Sequence, residues 1–285
     1  MRRAKSSKAR HRLRGGRAAP PEAGQDSRVR FARISHSEGA SFVAIGGEPD
    51  SLIAAELSTS VFEDPKFTGR TWPLASVQLL APIRPSKVVC IGKNYADHAR
   101  EMGGEPPADP VIFIKPSTSV IGPDARIEVP EGLGRVDFEG ELAVVIGGLP
   151  VRRLRAEDAG SAILGYTIAN DVTAREQQKA DGQWTRGKGH DTFCPLGPWI
   201  ETNLDPSGLE LRTELDGELK QDGNTSDLLH GVGEILEWIT AGMTLLPGDV
   251  VLTGTPAGVG PMTDGQTVSV SIEGIGTLTN KVAGV

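Results

Sequence analysis

Hydrophobic and polar residues alternate with a period of two over Arg30 to Ser35 and again over Ser41 to Ile45, the pattern of strands with one buried face. Gly46-Gly47 offers the turn after them. Further along, residues 87–92, 111–115, 141–146 and 163–170 are short, nearly continuous apolar runs, which predict strands buried on both faces. Leu215-Asp216-Gly217-Glu218-Leu219 predicts a tight hairpin, because Asp-Gly tolerates the positive φ angles of a two-residue turn. Helical punctuation is sparse. Asn94 can cap a short helix that Gly103 ends, residues 172–178 start like a helix, and Ser226 can cap another whose Ile235, Leu236, Trp238 and Ile239 form a packing side. The sum is an α+β, β-rich fold.

Composition supports that reading and divides the chain. With 36 Gly and 20 Pro, the 285 residues suit many tight turns rather than a helical bundle. Residues 1–30 hold ten Lys or Arg against two acids, which leaves 20 bases against 35 acids in the remainder. The expected organisation is a disordered basic tail over 1–28, a small β domain over 29–80 and a catalytic domain over 81–285, with ordered sequence starting near Val29 and the tail dispensable or a start-site artefact. The tail has neither the interleaved aromatics of a nucleic-acid arm nor the apolar core of a signal peptide, so no nucleic-acid partner is expected. No apolar run is long enough to span a membrane. Cys90 and Cys194 sit in apolar surroundings that suit reduced, buried thiols, and a cytoplasmic location is expected.

Candidate chemistry begins where two carboxylates break an apolar run, in Val-Asp-Phe-Glu139-Gly-Glu141-Leu. Residues two apart on a strand share a face at a spacing of roughly 6.6 Å, so Glu139 and Glu141 can lean onto one cation while Gly140 points away. A solvated pair at an exposed strand start is the other reading. Asp171, at the end of a predicted strand, is either a helix cap or the third acid of a hard-cation site. Three acids around one dication leave roughly one negative charge, so a nearby cation is expected. Lys188, in a glycine-flanked loop, can supply it or hold an oxyanion. Lys115 ends an apolar strand and either meets an anion or snorkels to solvent.

His98 and Glu101 stand at i and i+3 on a short helix, as a general-base pair or as an incidental surface pair. Gly103, Gly104, Pro106 and Pro107 after them suit a segment that closes over a site. His190 is a weaker candidate, because borderline metal sites need more His or Cys at ligand spacing. The loop at residues 254–260 lacks Gly-Lys-Ser/Thr, so it is no nucleotide loop, but its amides and Thr255 suit a carboxylate.

Taken in order, Ile-Gly-Lys-Asn-Tyr-Ala-Asp-His, Phe-Ile-Lys-Pro-Ser, Asp-Phe-Glu-Gly-Glu-Leu-Ala, Asn-Asp-Val-Thr-Ala-Arg, Asp-Thr-Phe-Cys-Pro-Leu-Gly-Pro and Thr-Gly-Thr-Pro-Ala-Gly-Val-Gly resemble the fumarylacetoacetate hydrolase family over about residues 85–285. The resemblance implies a mixed β-roll catalytic domain, a homodimer, and Mg²⁺ or Mn²⁺ held by Glu139, Glu141 and Asp171. By the same resemblance Lys188 is the active-site lysine, His98 and Glu101 are the lid dyad, and Gln178, Thr255 and Lys115 contact the substrate. The implied reaction is metal-dependent carbon–carbon cleavage, by hydrolysis or decarboxylation, of a 2,4-dioxo or oxaloacetate-like acid. Isomerisation of an unsaturated 2-oxo dicarboxylate such as 2-hydroxyhepta-2,4-diene-1,7-dioate is the alternative, and a non-catalytic binding protein is the rival class. Likeness of fold cannot choose among these reactions.

Overall fold

The alternating segments near the start become the strands Arg30–His36, Gly39–Gly46, Ile53–Leu57 and Phe67–Pro73, each antiparallel to the next. A computed structural model describes residues 29–285, so the tail expected over 1–28 lies outside the described residues. Arg30–His36 also pairs with Cys194–Glu201. The sheet therefore continues into the body through Ile163–Asn170, Gly140–Ile146, Val250–Leu252, Val88–Gly92 and Val111–Lys115. A five-stranded sheet, containing Glu210–Leu215, Glu218–Asn224, Thr267–Ile272, Gly276–Gly284 and Arg126–Val129, packs against it.

The central strand Gly140–Ile146 shows why its sequence is an unbroken apolar run. Leu142, Val144 and Ile146 face Leu211, Val270, Ile272 and Leu278 of the smaller sheet, together with the helix residues Ile235, Leu236 and Ile239. Ala143 and Val145 face the other way, into a second core with Cys90, Phe113 and Val250. Truncating a fully buried residue such as Leu142 to Ala would cost about 2–5 kcal/mol, which makes this strand a rigid support for the acids at its start. The predicted hairpin forms as expected, with Leu215 opposite Glu218 and positive φ at Asp216 (53°) and Gly217 (80°).

Three local expectations are corrected. Asn94 does not cap the helix Ala96–Glu101. Its amide instead donates to the carbonyls of Thr253 at 2.8 Å and His230 at 3.0 Å, because tying three distant segments together satisfies a buried amide better than a helix end at the surface. Ser226 lies in a separate turn, Thr225–Asp227, and the helix over Val232–Gly242 starts after Gly231. On that helix Ile235, Leu236, Ile239 and Thr240 are buried, and Trp238 falls outside their arc and is 44 % exposed. The end of the first helix is as predicted, with Gly103 left-handed at φ 75° and the Gly104 N–H on the carbonyl of Ala99. Among the described residues, no helix is long and apolar enough to cross a membrane. Cys90 and Cys194 are buried and unpaired.

Candidate metal centre and active site

Strand register brings the three acids together. Gly140 pairs with Asn170 and Glu141 with Ala169, so Asp171 emerges one residue beyond the strand end, beside Glu139 and Glu141. Two hydrogen bonds lock this corner, from the Asp171 N–H to the Glu139 carbonyl at 2.8 Å and from the Glu139 N–H to Asn170 Oδ1 at 2.9 Å. Gly140 must be glycine, since a Cβ there would come within 2.3 Å of Thr213 Oγ1. Its backbone is clamped as well, by Gln221 Oε1 accepting its N–H at 2.9 Å and Thr255 Oγ1 donating to its carbonyl at 2.8 Å.

One ligand oxygen from each of Glu139, Glu141 and Asp171 lies within 4.8 Å of the others, and all three residues are buried. This overturns both the solvated-pair reading of the glutamates and the capping reading of Asp171. The Lys188 ammonium donates to Glu139 Oε2 at 2.9 Å, Asp171 Oδ2 at 2.6 Å and Thr173 Oγ1 at 2.8 Å, which engages all three of its N–H bonds within the protein. It also lies 4.8 Å from the centroid of the Phe113 ring. Arg175 bridges Glu139 and Asp137, each at 2.7 Å.

The surroundings set the charge of each group differently. Burial works against a charged Glu139, but Lys188, Arg175 and His98 pull harder and hold its carboxyl below the usual range. Burial also opposes a charged Lys188, and Asp171 and Glu139 more than offset it, so its pKa is raised. Glu141 is the exception. Burial, then Asp171 and Glu139, push its carboxyl well above the ordinary value, and its hydrogen bond from the Gly254 N–H at 2.6 Å does not compensate. No side-chain cation pairs with Glu141 among the described residues.

These acids line a cavity of about 870 Å³ together with His98, Glu101, Gln178, Lys188 and Thr255. His98 is buried, with Nδ1 3.2 Å from Glu101 Oε2. Glu101 in turn accepts the Gly258 N–H at 3.1 Å, which ties the end of the short helix to the glycine loop. Lys115 does not line the cavity. It is fully buried behind the acids, its ammonium on Asp171 Oδ1 at 2.5 Å and on the Val172 carbonyl at 3.1 Å, so neither snorkelling nor a place at the substrate matches its position. His190 turns away to Gln177, at 2.7 Å.

Four charged cavity residues are not singled out by the sequence: Lys93, Arg135, Asp137 and Lys179. Asp137 was detectable, because it precedes Glu139 by the same two-residue step that separates Glu139 from Glu141. Arg175 was read only as the start of a helix, yet it lines the wall, and its Nη2 is buried without a protein partner.

Comparison with known proteins places these features among relatives. A family model described as fumarylacetoacetate hydrolase C-terminal matches residues 87–283, and one described as Rv2993c-like, N-terminal matches residues 29–82. Protein Rv2993c of Mycobacterium tuberculosis is 60% identical over 260 residues, covering 89% of this chain and 98% of its own. A mitochondrial oxaloacetate tautomerase of Bos taurus, FAHD2B, is 42% identical over 223 residues, covering 74% of this chain and 71% of its own. Among solved structures, 5-carboxymethyl-2-hydroxymuconate delta-isomerase from Mycobacterium smegmatis superposes with a TM-score of 0.85 at 56% identity, over 90% of this chain and all of that one. Fumarylpyruvate hydrolase from Pseudomonas aeruginosa, in complex with Mn²⁺ and pyruvate, superposes with a TM-score of 0.67 at 32% identity, over 73% of this chain and 92% of that one.

Proposed function

The chain belongs to the fumarylacetoacetate hydrolase family, and on that footing we propose that it is a metal-dependent enzyme that moves a proton at the carbon beside the keto group of a 2-oxo dicarboxylate, interconverting its keto and enol forms or double-bond isomers. The observation that carries this reading is the convergence of Glu139, Glu141 and Asp171 within 4.8 Å on the floor of the cavity. An all-oxygen donor set suits Mg²⁺ or Mn²⁺, and Glu141, buried without a cation of its own, marks where positive charge is wanting. When bound, such an ion supplies a Lewis acid that polarises a keto oxygen, an effect worth several kcal/mol.

The remaining work falls to the side chains. Lys188 and Lys115 keep the acids in place. Arg175, with Nη2 unpartnered at the wall, is placed to take a substrate carboxylate. His98 moves the proton, and with Nδ1 occupied by Glu101 its Nε2 is the ring atom left to do so. Charge favours a doubly anionic substrate. The wall carries five cations (Lys93, Arg135, Arg175, Lys179, Lys188) and five carboxylates (Glu101, Asp137, Glu139, Glu141, Asp171), so a dication would leave it two positive charges in excess.

The names of the isomerase at 56% identity and the tautomerase at 42% support proton transfer. Cleavage of a 2,4-dioxo or oxaloacetate-like acid is the second reading, supported by the hydrolase at 32%; there His98 would draw its proton from an attacking water. Adding enolic oxaloacetate to the protein with Mg²⁺ or Mn²⁺, and following both enol absorbance and pyruvate release, separates them. Fast metal-dependent loss of enol without pyruvate is expected. Pyruvate release at a comparable rate, from oxaloacetate or acetylpyruvate, selects cleavage, and no metal-dependent turnover of any of these sinks both readings.

A further inference from the structure

A second cavity, of about 420 Å³, lies away from the acids, between the first strand and the turn that follows Val111–Lys115. Arg33 enters it from the middle of Arg30–His36, only 7 % exposed, and Arg84 enters from the connecting segment. A guanidinium stays charged and carries five N–H donors. The one hydrogen bond that the Arg33 guanidinium makes among the described residues is from Nη1 to the Ala81 carbonyl at 3.0 Å, with the Phe42 ring 5.6 Å from its Cζ. Neither arginine forms an ion pair with a carboxylate among the described residues, although acids outnumber bases in the body of the chain. The buried Arg33 and the exposed Arg84 thus face one cavity with nothing of opposite sign between them, and the cost of burying the Arg33 charge is one that a bound anion would offset.

We propose that this cavity binds a phosphate monoester. Ser117 and Thr118, both exposed, line the same cavity, so with the two arginines donors from three segments can surround a tetrahedral dianion. Leu80 and Ile83 give the rest of the wall an apolar surface, which suits a small hydrophobic body attached to the phosphoryl group.

Calorimetric titration of the full chain in metal-free buffer, with inorganic phosphate and with phenyl phosphate, tests this. One-to-one binding is expected, tighter for phenyl phosphate, weakened at least about tenfold by Arg84→Met and by Arg33→Met and unchanged by Lys93→Met in the larger cavity. Arg84 is exposed, so its variant folds whatever Arg33→Met does. Arg33→Met removes an uncompensated buried charge, so its melting temperature without phosphate should equal or exceed that of the parent. The proposal is overturned by absence of binding at millimolar phosphate, or by loss of binding in Lys93→Met with retention in Arg84→Met. A change of oligomeric mass in Arg84→Met, with no phosphate effect, also overturns it by assigning the arginines to acids of a second copy.

Discussion

Replacing Lys115 with Met distinguishes an anchor from a substrate contact. The ammonium is wholly buried and meets Asp171 Oδ1 at 2.5 Å, so Lys115→Met leaves Asp171 with Lys188 as its remaining cationic partner. Opposite charges about 3 Å apart attract by roughly 5–6 kcal/mol at an effective dielectric of about 20, and the lysine loses its own desolvation penalty when it is removed. The net loss should fall in the range of about 3–5 kcal/mol that follows from breaking a buried pair. For a chain of this size that lowers the melting temperature by roughly 10 °C.

Divalent metal should then restore more stability to the variant than to the parent. At a hundred times its dissociation constant, a ligand adds about 2.7 kcal/mol to the folded state. In Lys115→Met one fewer positive charge opposes the ion, so the metal-induced gain should be larger. Urea unfolding with and without Mg²⁺ or Mn²⁺ measures both quantities. A variant with unchanged stability and a raised KM would place Lys115 at the substrate and refute the anchoring role.

Glu141→Gln should abolish metal binding and turnover together while leaving metal-free stability equal or higher, since burial beside Asp171 and Glu139 disfavours its charge; retained Mn²⁺ affinity by calorimetry would remove it from the ligand set. His98→Ala should spare metal affinity and lower turnover by roughly 10²- to 10⁴-fold, and near-normal turnover would strip it of the proton-transfer role. In the first β unit, the hydrogen bond from Arg70, against the opposing effect of burial, holds the Glu56 carboxyl at about 2. A lowered folded-state pKa gives stability that is present above the unfolded value near 4.5 and lost as pH falls towards 2, so Arg70→Met should lower stability at pH 7 and flatten that acid limb of the unfolding curve.

What could be read before the fold was known follows local periodicity. The step of two from Glu139 to Glu141, the Asp-Gly hairpin and the left-handed Gly103 are all properties of a few consecutive residues, and each holds. What could not be read depends on segments far apart in the chain. Lys115 ends an apolar strand and Lys188 sits between glycines, neither context tells where its ammonium goes, and only the packing puts one behind the acids and the other at the cavity wall. Asn94 has the chemistry of a helix cap and serves as a brace between residues 230 and 253, because a buried amide takes whatever carbonyls the tertiary fold brings to it. Arg175 was legible as a helix start but not as the partner of Asp137 and Glu139, since that pairing needs the strand and helix ends to meet.

The donor set at the centre follows from which side chains the fold brings to one point. Cys90 and Cys194 feel the charge of Asp171 and Glu141, but neither sulfur is in the ligand cluster, where a thiolate would favour softer ions. Both are held as thiols instead. Burial dominates for each, driving the Cys90 thiol well above its ordinary value and the Cys194 thiol up to about 12, and the opposing pull of Lys115 is too weak to reverse it. His190, the histidine nearest in sequence to Lys188, is engaged by Gln177 and lines a different, smaller cavity. With both sulfurs and His190 outside the cluster, carboxylate oxygen is what Glu139, Glu141 and Asp171 offer an incoming ion. Such a set suits a hard dication with open positions for water or substrate, whereas zinc sites more often add sulfur or nitrogen. The two cysteines lie in strands of the main sheet and point into the apolar core that Ala143 and Val145 also enter, and that packing leaves sulfur out of the ligand cluster.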